Sequence, residues 1–308
     1  MLSEQVKNEL KISEKSITLF NEPMKNYTSF GIGGPADALI IPSCEDDIEH
    51  ALRIASQNSI PITIIGNGTN LLISDEGIEG IVIRIADCLD YIVLSGLNVK
   101  VGAGCPLSRL SRLVADQGLT GIEFAIGIPG TVGGAVITNA GAHGASVGDV
   151  ITKIRVMNHN YESFELEKEK LHFSYRKSSL QKKDLIVLDI EMKLKEGNIE
   201  EIKRKMQEYL QQRRKKQPSG LRSAGSIFKN PKGDYAGRLI EACGCKGINI
   251  GDAQISELHA NFIVNKGNST SRDIVRLMNK VQKIVSEKHG VKLEPEIDIK
   301  GREASEIE

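Results

Sequence analysis

Apolar residues in the first third of the chain switch between the spacing of strands and the spacing of a helix. Short apolar runs at 38–41, 60–65 and 81–85 have the length of buried strands. Between the first two runs, apolar residues over 48–55 recur as on one face of a helix, after a Ser43-x-x-Asp46 capping box. Strand, helix and strand in this order predict an α/β first domain.

A second alternation of predicted strands and a predicted helix follows in the middle third of the chain. The predicted strands cover 91–95, 99–101, 151–157 and 186–194. The last of them shows the period of two of a strand, in which one set of residues alternates with another: Ile186, Leu188, Ile190, Met192 and Leu194 with Val187, Asp189, Glu191 and Lys193. Between the strands we expect a helix with Pro106 as its first residue and Gly118 as its end.

The last third contains two long helical patterns. A basic helix is predicted over 199–216 and ends before Pro218, which indicates a domain boundary. A second helix is predicted over 271–288, with Gly290 as its stop signal. Its inward positions are Ile274, Leu277, Met278, Val281 and Val285.

Composition and charge limit the possible classes of function. A chain of 308 residues is too long for one small core and predicts two or three domains. The 40 basic and 40 acidic residues balance, and aromatic residues make up only 4%, so neither nucleic acid nor a membrane surface is an expected partner. No apolar run reaches the ~18 residues of a membrane span, and the first residues lack the pattern of a signal peptide.

The five cysteines have no regular spacing, which predicts free thiols in a cytoplasmic protein. Cys243-Gly244-Cys245 is the one close pair. Because no second Cys or His pair stands at ligand spacing, we expect no metal site.

Two loops rich in small residues are candidates for anion binding. The first covers 66–70, directly after an apolar strand, and the second covers 127–134, with 139–144 shortly after it. Glycines let backbone N–H groups converge on a phosphate, although each loop alone is also explained by tight turns. Two such loops in one α/β unit favour a ligand with a diphosphate. A dinucleotide fingerprint at 31–36 is not supported, because no convincing strand precedes it and Pro35 interrupts it.

Three polar clusters carry candidate chemistry. The segment 225–231, Gly-Ser-Ile-Phe-Lys-Asn-Pro, places a hydroxyl, an ammonium and an amide in one short stretch. Ser174-Tyr175-Arg176 adds a guanidinium, and 293–296, Leu-Glu-Pro-Glu, adds carboxylates near the end. Such groups suit a polar, anionic ligand, and only tertiary folding can bring them together.

In their order, these stretches resemble one family. Asn67-Gly68-Thr69-Asn70, Pro129-Gly130-Thr131-Val132-Gly133-Gly134, Tyr175-Arg176, Gly225-Ser226 and Glu296 follow one another as in the UDP-N-acetylenolpyruvoylglucosamine reductases. These are cytoplasmic flavoenzymes of peptidoglycan precursor synthesis. Tyr209 is the only tyrosine between Arg176 and Ser226 in the sequence. The chain therefore resembles the type of this family that lacks an inserted tyrosine loop.

The resemblance implies an α/β (α+β) architecture. An FAD-binding fold of the vanillyl-alcohol-oxidase (PCMH) type would form two subdomains, at 1–85 and 86–215. A C-terminal α+β substrate-binding domain would cover 216–295, with a strand at 296–302 returning to the first subdomain.

The resemblance also implies the site residues. Non-covalent FAD is assigned to Gly66, Asn67, Gly68, Thr69, Asn70, Leu71, Pro129, Gly130, Thr131, Val132, Gly133, Gly134, Asn139, Ala140, Gly141 and Arg213. The nucleotide-sugar substrate is assigned to Tyr175, Lys216, Lys229, Asn230 and His259. The basic run ending at Lys216 is equally explained as a solvated helix face.

The implied catalytic residues are Arg176, Ser226 and Glu296. NADPH would reduce the FAD and leave, and an enolpyruvyl substrate would take its place. Arg176 would then hold the substrate carboxylate, Ser226 would give a proton, and Glu296 would orient a water or hydrogen-bond the intermediate. Glu294 competes with Glu296, because residues two apart on a strand share a face.

Two other functions stay open at this point. A flavin-dependent oxidase of the same fold is one, although the first glycine loop lacks the histidine or cysteine that attaches FAD in many such oxidases. A nucleotide-sugar binding protein without catalysis is the other, and the three intact catalytic residues count against it. We expect a cytoplasmic monomer.

Overall fold

The computed structural model describes residues 2–11 and 13–302, which fold into two compact units. Unit 1 takes its described residues from Met1–Phe20, Ala38–Asn67 and Gly80–Arg213. Unit 2 takes its described residues from Asn21–Asp37, Gly68–Glu79 and Arg214–Glu308. Each unit is thus assembled from three separate stretches of chain. The predicted division at residues 85 and 215 remains a prediction.

The described residues form helices and strands in mixed order. The α-helices are α1 (Glu4–Glu9), α2 (Glu45–Gln57), α3 (Leu107–Asp116), α4 (Val132–Thr138), α5 (Ile199–Lys216), α6 (Ala236–Ala242) and α7 (Ser271–His289). The strands are β1 (Ile17–Pro23), β2 (Pro35–Ile41), β3 (Ile62–Ile65), β4 (Leu71–Ile73), β5 (Ile78–Arg84), β6 (Ile92–Ser95), β7 (Asn98–Gly102), β8 (Leu119–Thr120), β9 (Gly141–Ala142), β10 (Ala145–Ser146), β11 (Ile151–Met157), β12 (Ser163–Glu167), β13 (Ile186–Lys193), β14 (Lys195–Glu196), β15 (Asn249–Ile250), β16 (Ala253–Ile255), β17 (Ile263–Asn265) and β18 (Asp298–Lys300). None of the described helices has the length and apolar content needed to cross a membrane.

Unit 1 is built around a five-stranded sheet of order β12-β11-β13-β7-β6, in which every neighbouring pair is antiparallel. Ile190 in β13 lies between Ile154 in β11 and Val101 in β7, and all three are buried. Helix α4 packs against β13 and β7. A second sheet has the order β1-β2-β5-β3, and its β3 and β5 are parallel. This mixture confirms the predicted α/β class.

Unit 2 has a separate core. Helices α6 and α7 pack together, and α7 also packs against the β15-β16-β17 sheet. Helix α7 begins with a capping box between Thr270 and Asp273 and ends at Gly290, whose φ of 68° is left-handed. Strand β18 pairs in parallel with β4, a stretch far from it in sequence.

The long helices are confirmed. Helix α5 has the predicted bounds, and α7 extends one residue beyond the predicted end. The inward residues predicted for α7 are all buried. The helical pattern at 48–55 lies in α2 and buries its apolar face.

Two predicted helix starts are wrong. Helix α2 begins at Glu45, and the carboxylate that accepts from the Ser43 N–H (2.8 Å) and hydroxyl (2.7 Å) belongs to Asp47, not Asp46. Pro106 has ψ 126°, an extended conformation, and is the N-cap of α3, so the first helical residue is Leu107. In both cases local spacing gave the helix but not its first residue.

The more polar side of β13 carries a buried carboxylate. Asp189 on that side is only 2% exposed. Arg155 Nε donates to its carboxylate at 2.7 Å, and Tyr91 Oη donates at 3.1 Å. Arg155 also pairs through two nitrogens with Glu45, at 2.7 Å each. Burial together with the Asp189 charge raises the pKa of Tyr91 to about 12. A buried carboxylate is tolerated because this network neutralises it.

Candidate functional site

The two glycine-rich loops meet within unit 1. Gly66 follows β3 directly, and a Cβ built on it would lie 2.6 Å from Thr131 Oγ1. No side chain fits there without movement of Thr131. The loop at 66–71 and the loop at 127–134 are therefore adjacent at this point, as a shared ligand would require.

Backbone groups of the second loop are partly occupied. The N–H groups of Val132 and Gly133 donate to the carbonyls of Cys105 and Ala103, at 2.9 Å each. The N–H of Gly134 donates to Thr131 Oγ1 at 3.3 Å, which caps α4. These three N–H groups are not free to form the phosphate cradle that the glycine content suggested. Any diphosphate contact from this loop must come from its other groups or from close approach of the backbone.

Arg213 supplies a half-buried positive charge beside the second loop. Its Cδ would lie 2.8 Å from a Cβ on Gly127, so the guanidinium stem packs directly on the loop backbone. Burial lowers the pKa of Arg213. Among residues 2–11 and 13–302, no carboxylate forms an ion pair with it. A desolvated cation without a protein anion fits an anionic ligand.

Arg176 lies in a tight two-residue turn of unit 1. Ser174 and Lys177 close the turn by exchanging two backbone hydrogen bonds of 3.0 and 3.1 Å. Arg176 has φ 54°, a left-handed conformation that is uncommon for a residue with a side chain. Its guanidinium lies 5.2 Å from the centre of the Tyr175 ring, and that ring is 52% exposed.

Tyr209 on α5 stacks on another aromatic ring of unit 1. Its ring stacks on His143 at 3.7 Å between centres, nearly parallel. His143 lies in the turn between β9 and β10 with φ 55°. The stack holds this hairpin against α5.

Ser226 and Glu296 are brought together in unit 2. The N–H of Glu296 donates to Ile227 O at 2.7 Å, and the N–H of Lys229 donates to Glu294 O at 2.8 Å. The Ser226 segment therefore runs antiparallel to the segment that carries the predicted carboxylates. A bend at Ile227 leaves both Ile227 and Phe228 buried, so the two-residue alternation of side chains is interrupted beside Ser226.

Asn70 connects the first glycine loop to the same place. Its Nδ2 donates to Glu296 O at 3.1 Å, and its own carbonyl accepts from the Asp298 N–H at 2.9 Å. Unit 2 thus joins part of a predicted cofactor loop, the predicted proton donor segment and the predicted carboxylate.

Asn261 holds the Ser226 segment, and the sequence analysis missed it. Its side chain accepts from the Phe228 N–H at 3.0 Å and donates to Phe228 O at 2.8 Å. Its backbone carbonyl accepts from the Ile227 N–H at 2.9 Å. The sequence signal for Asn261 was an asparagine between the apolar residues Ala260 and Phe262. A buried amide at such a position needs hydrogen-bond partners.

The two candidate carboxylates differ in their surroundings. Glu294 is 68% exposed at its side chain and lies 3.7 Å from Lys229 Nζ. Glu296 is less exposed and is held by the backbone bonds described above. Lys229 therefore has a carboxylate partner on the neighbouring segment.

Two other predicted substrate residues have structural contacts. Asn230 Oδ1 accepts from the Ala236 N–H at 3.0 Å, at the start of α6. His259 is half-buried and its Nδ1 accepts from the Asn261 N–H at 3.2 Å. Burial lowers the pKa of His259, with further lowering from Lys246.

The depressed pKa of His259 predicts a loss of stability in acid. Since the folded protein holds His259 neutral, the unfolded chain binds more protons as the pH falls below the reference value of 6.5. The free energy of unfolding should therefore fall with pH below 6.5, and in His259→Gln this fall should be smaller. Denaturant titrations over a pH series measure it, with the exposed His159→Gln as control. Identical pH profiles for His259→Gln and the parent protein would contradict the expectation.

Comparison with known proteins identifies two matching domain families. The C-terminal domain of UDP-N-acetylenolpyruvoylglucosamine reductase matches residues 217–300, and an FAD binding domain matches residues 36–165. The second match confirms the predicted FAD-binding fold and the FAD cofactor.

Curated relatives cover nearly the whole chain. A UDP-N-acetylenolpyruvoylglucosamine reductase of Caldanaerobacter subterraneus subsp. tengcongensis is 48% identical over 91% of this chain and 93% of its own length. UDP-N-acetylenolpyruvoylglucosamine reductase 1 of Bacillus cereus is 44% identical over 97% of this chain and 100% of its own. The crystal structure of the reductase from Thermus caldophilus superposes with a TM-score of 0.80 at 38% identity, covering 92% of this chain and 98% of that one.

Proposed function

Because this chain belongs to the UDP-N-acetylenolpyruvoylglucosamine reductase family and is an FAD-dependent oxidoreductase, we propose that it reduces UDP-N-acetylglucosamine enolpyruvate to UDP-N-acetylmuramate with NADPH. The observation that carries this proposal is the meeting of three stretches in unit 2. Asn70 of the first glycine loop bonds to Glu296, and Glu296 bonds to the segment of Ser226. A cofactor loop held beside the backbone segments of an acid and an alcohol suits a reduction that also needs a proton.

The reaction adds one hydride and one proton across the enol ether double bond. NADPH is oxidised to NADP⁺, and the proton comes from the solvent through the protein. When bound, FAD would supply the hydride-transfer chemistry between NADPH and the substrate. Side chains of the protein would bind the substrate, stabilise charge on its carboxylate and deliver the proton.

Arg176 is the proposed carboxylate ligand. Hydride addition moves negative charge towards the substrate carboxylate, and a guanidinium can bind both of its oxygens while remaining charged. Ser226 is the proposed proton donor, and Glu296 is proposed to hydrogen-bond the reacting group or to orient a water. A neutral Glu296 would avoid repulsion from the intermediate.

FAD is proposed to lie along the two glycine-rich loops. Close contact of Gly66 with Thr131 leaves bare backbone at the junction, and the half-buried charge of Arg213 beside Gly127 can neutralise a diphosphate. We assign Lys216, Lys229, Asn230, His259 and Tyr175 to the nucleotide sugar. Free thiols, among them the exposed Cys44, support the cytoplasmic, reducing setting in which peptidoglycan precursors are made.

Gly66→Ala is expected to weaken FAD binding about tenfold to a hundredfold, since overpacking costs about 1–3 kcal/mol. The new methyl group would overlap Thr131 Oγ1 and push the two loops apart. FAD retained after gel filtration and the Kd of FAD for the apoprotein measure the effect. Gly96→Ala is the control: no atom lies within 4 Å of the new methyl group, although the φ of 58° at Gly96 is left-handed. FAD binding as in the parent protein would remove Gly66 from the cofactor site.

Two half-reactions measured in one preparation test the function. Purified protein should show the visible absorption of an oxidised flavin, which NADPH bleaches without oxygen. Adding the enolpyruvyl nucleotide sugar should restore the absorption and give the lactyl ether in equal amount. Reoxidation by oxygen at the same rate without substrate would favour an oxidase. A colourless protein that takes up no FAD would favour a binding protein.

A further inference from the structure

Two buried side chains anchor the turn that carries Arg176 to the end of helix α4. Asn139 and Ser178 are 6% and 7% exposed. Asn139 Nδ2 donates to Ser174 O at 2.8 Å, and Ser178 Oγ donates to Ile137 O at 2.7 Å. One anchor therefore lies on each side of Arg176 in sequence, and both lead to the last turn of the same helix.

The turn needs such support because its backbone is strained. A left-handed residue with a side chain costs about 1–2 kcal/mol, and Arg176 has φ 54°. Gln181 Nε2 adds a bond of 3.3 Å to the Arg176 carbonyl. Strained residues of this kind persist where surrounding bonds fix them, and they concentrate at functional sites.

Asparagine suits position 139 for two reasons. Its φ of 46° is left-handed and closes α4, a conformation that asparagine tolerates better than most residues. Its side chain also uses both ends, since Oδ1 accepts from the Gly148 N–H at 3.0 Å while Nδ2 binds Ser174. Glycine would keep the backbone without these bonds, and aspartate would keep the acceptor without the donor.

We propose that Asn139 and Ser178 are positioning residues for Arg176. They fix the Arg176 turn to the C-terminal end of α4. The N-cap of α4 is Thr131, in the second glycine-rich loop, so one short helix positions both the Arg176 turn and that loop. The inference rests on the proposed function, in which Arg176 holds the substrate carboxylate. It also changes the role of Asn139: both polar ends of its side chain bind protein backbone, so it acts on the turn and not on FAD.

Asn139→Asp and Ser178→Ala test the proposal in the FAD-loaded enzyme. A misplaced guanidinium should slow the transfer from reduced flavin to the enolpyruvyl substrate about tenfold to a hundredfold. Substrate affinity of the oxidised enzyme, measured from the change in flavin absorption, should weaken in the same variants. FAD content and the rate of flavin reduction by NADPH should stay at the parent value, because NADPH has no enolpyruvyl carboxylate for Arg176 to hold.

Two matched controls separate position from stability. Ser178→Thr keeps the hydroxyl and should recover most of the rate. Ser179→Ala removes a neighbouring hydroxyl that bonds to Lys170 O, away from α4, and should behave as the parent protein. If Asn139→Asp does not fold, the Ala and Thr variants of Ser178 decide the question alone.

Three outcomes would overturn the inference. Parent rates in both variants would remove the positioning role, and equal slowing of both half-reactions would reduce it to general stability. Loss of FAD from Asn139→Asp would return Asn139 to the cofactor site. Failure of the parent enzyme to reduce the enolpyruvyl substrate would instead overturn the proposed function, so the two failures are distinguishable.

Discussion

Ser226→Ala is expected to slow reduction of the enolpyruvyl substrate by about a hundredfold to ten-thousandfold, the usual contribution of a positioned acid. Flavin reduction by NADPH should be unchanged, because that step needs no proton on substrate carbon. The fold should also survive, since Ile227 and Phe228 beside it, not Ser226, fill the core. Rapid mixing without oxygen measures the two half-reactions separately.

Ser223→Ala is the matched control for this change. It removes a hydroxyl from the same loop, three residues earlier and before the backbone bonds of Ile227 to Asn261 and Glu296. It should leave both half-reactions at the parent rate. If Ser226→Ala also leaves both at the parent rate, the proton comes from another group, and Glu296 becomes the first candidate.

Arg176→Lys is expected to lower turnover of the enolpyruvyl substrate by about a hundredfold or more, with FAD still bound. Lysine keeps the charge but offers one point of attachment where a guanidinium offers two. Loss of one preorganised donor to developing negative charge has a cost of this size. Single-turnover rates at saturating substrate measure the loss.

Arg176→Gly separates function from stability at the same position. Glycine adopts the φ of 54° without strain, so the free energy of unfolding should stay equal or rise by about 1 kcal/mol. Activity should nevertheless be lost. Lys177→Ala changes the exposed neighbour in the turn and should have no effect on activity. Full activity in either Arg176 variant would remove Arg176 from the mechanism.

Local patterns predicted the long helices well because the apolar spacing and the stop signals of a helix lie within one short stretch of sequence. Helix α7 has an apolar stripe, and a glycine follows it. Helix α5 is rich in charged residues and ends at Lys216, shortly before Pro218. The same reasoning gave the wrong first residue for α2 and α3, because the N-caps, Cys44 and Pro106, form no side-chain cap bond that a local motif could signal.

The polar interior could not be predicted in the same way. Asp189 in β13 is buried, and its carboxylate is bonded by Arg155 from β11 and by Tyr91 just before β6. The resemblance assigned Asn139 to FAD, and its side chain also binds the Gly148 and Ser174 backbone, which no local pattern indicated. Hydrogen-bond partners far apart in sequence leave no periodic signal.

The sequence by itself determined the family, the α/β class, the long helices and the chemical types of the candidate groups. These follow from residue order and from spacing along one chain. Only the tertiary structure decided which groups meet: Gly66 with Thr131 in unit 1, and Asn70 with Glu296 in unit 2. It also decided which glycine N–H groups are already occupied. Those outcomes depend on packing and hydrogen bonds between distant stretches, whose energies are set by three-dimensional neighbours and not by neighbours in sequence.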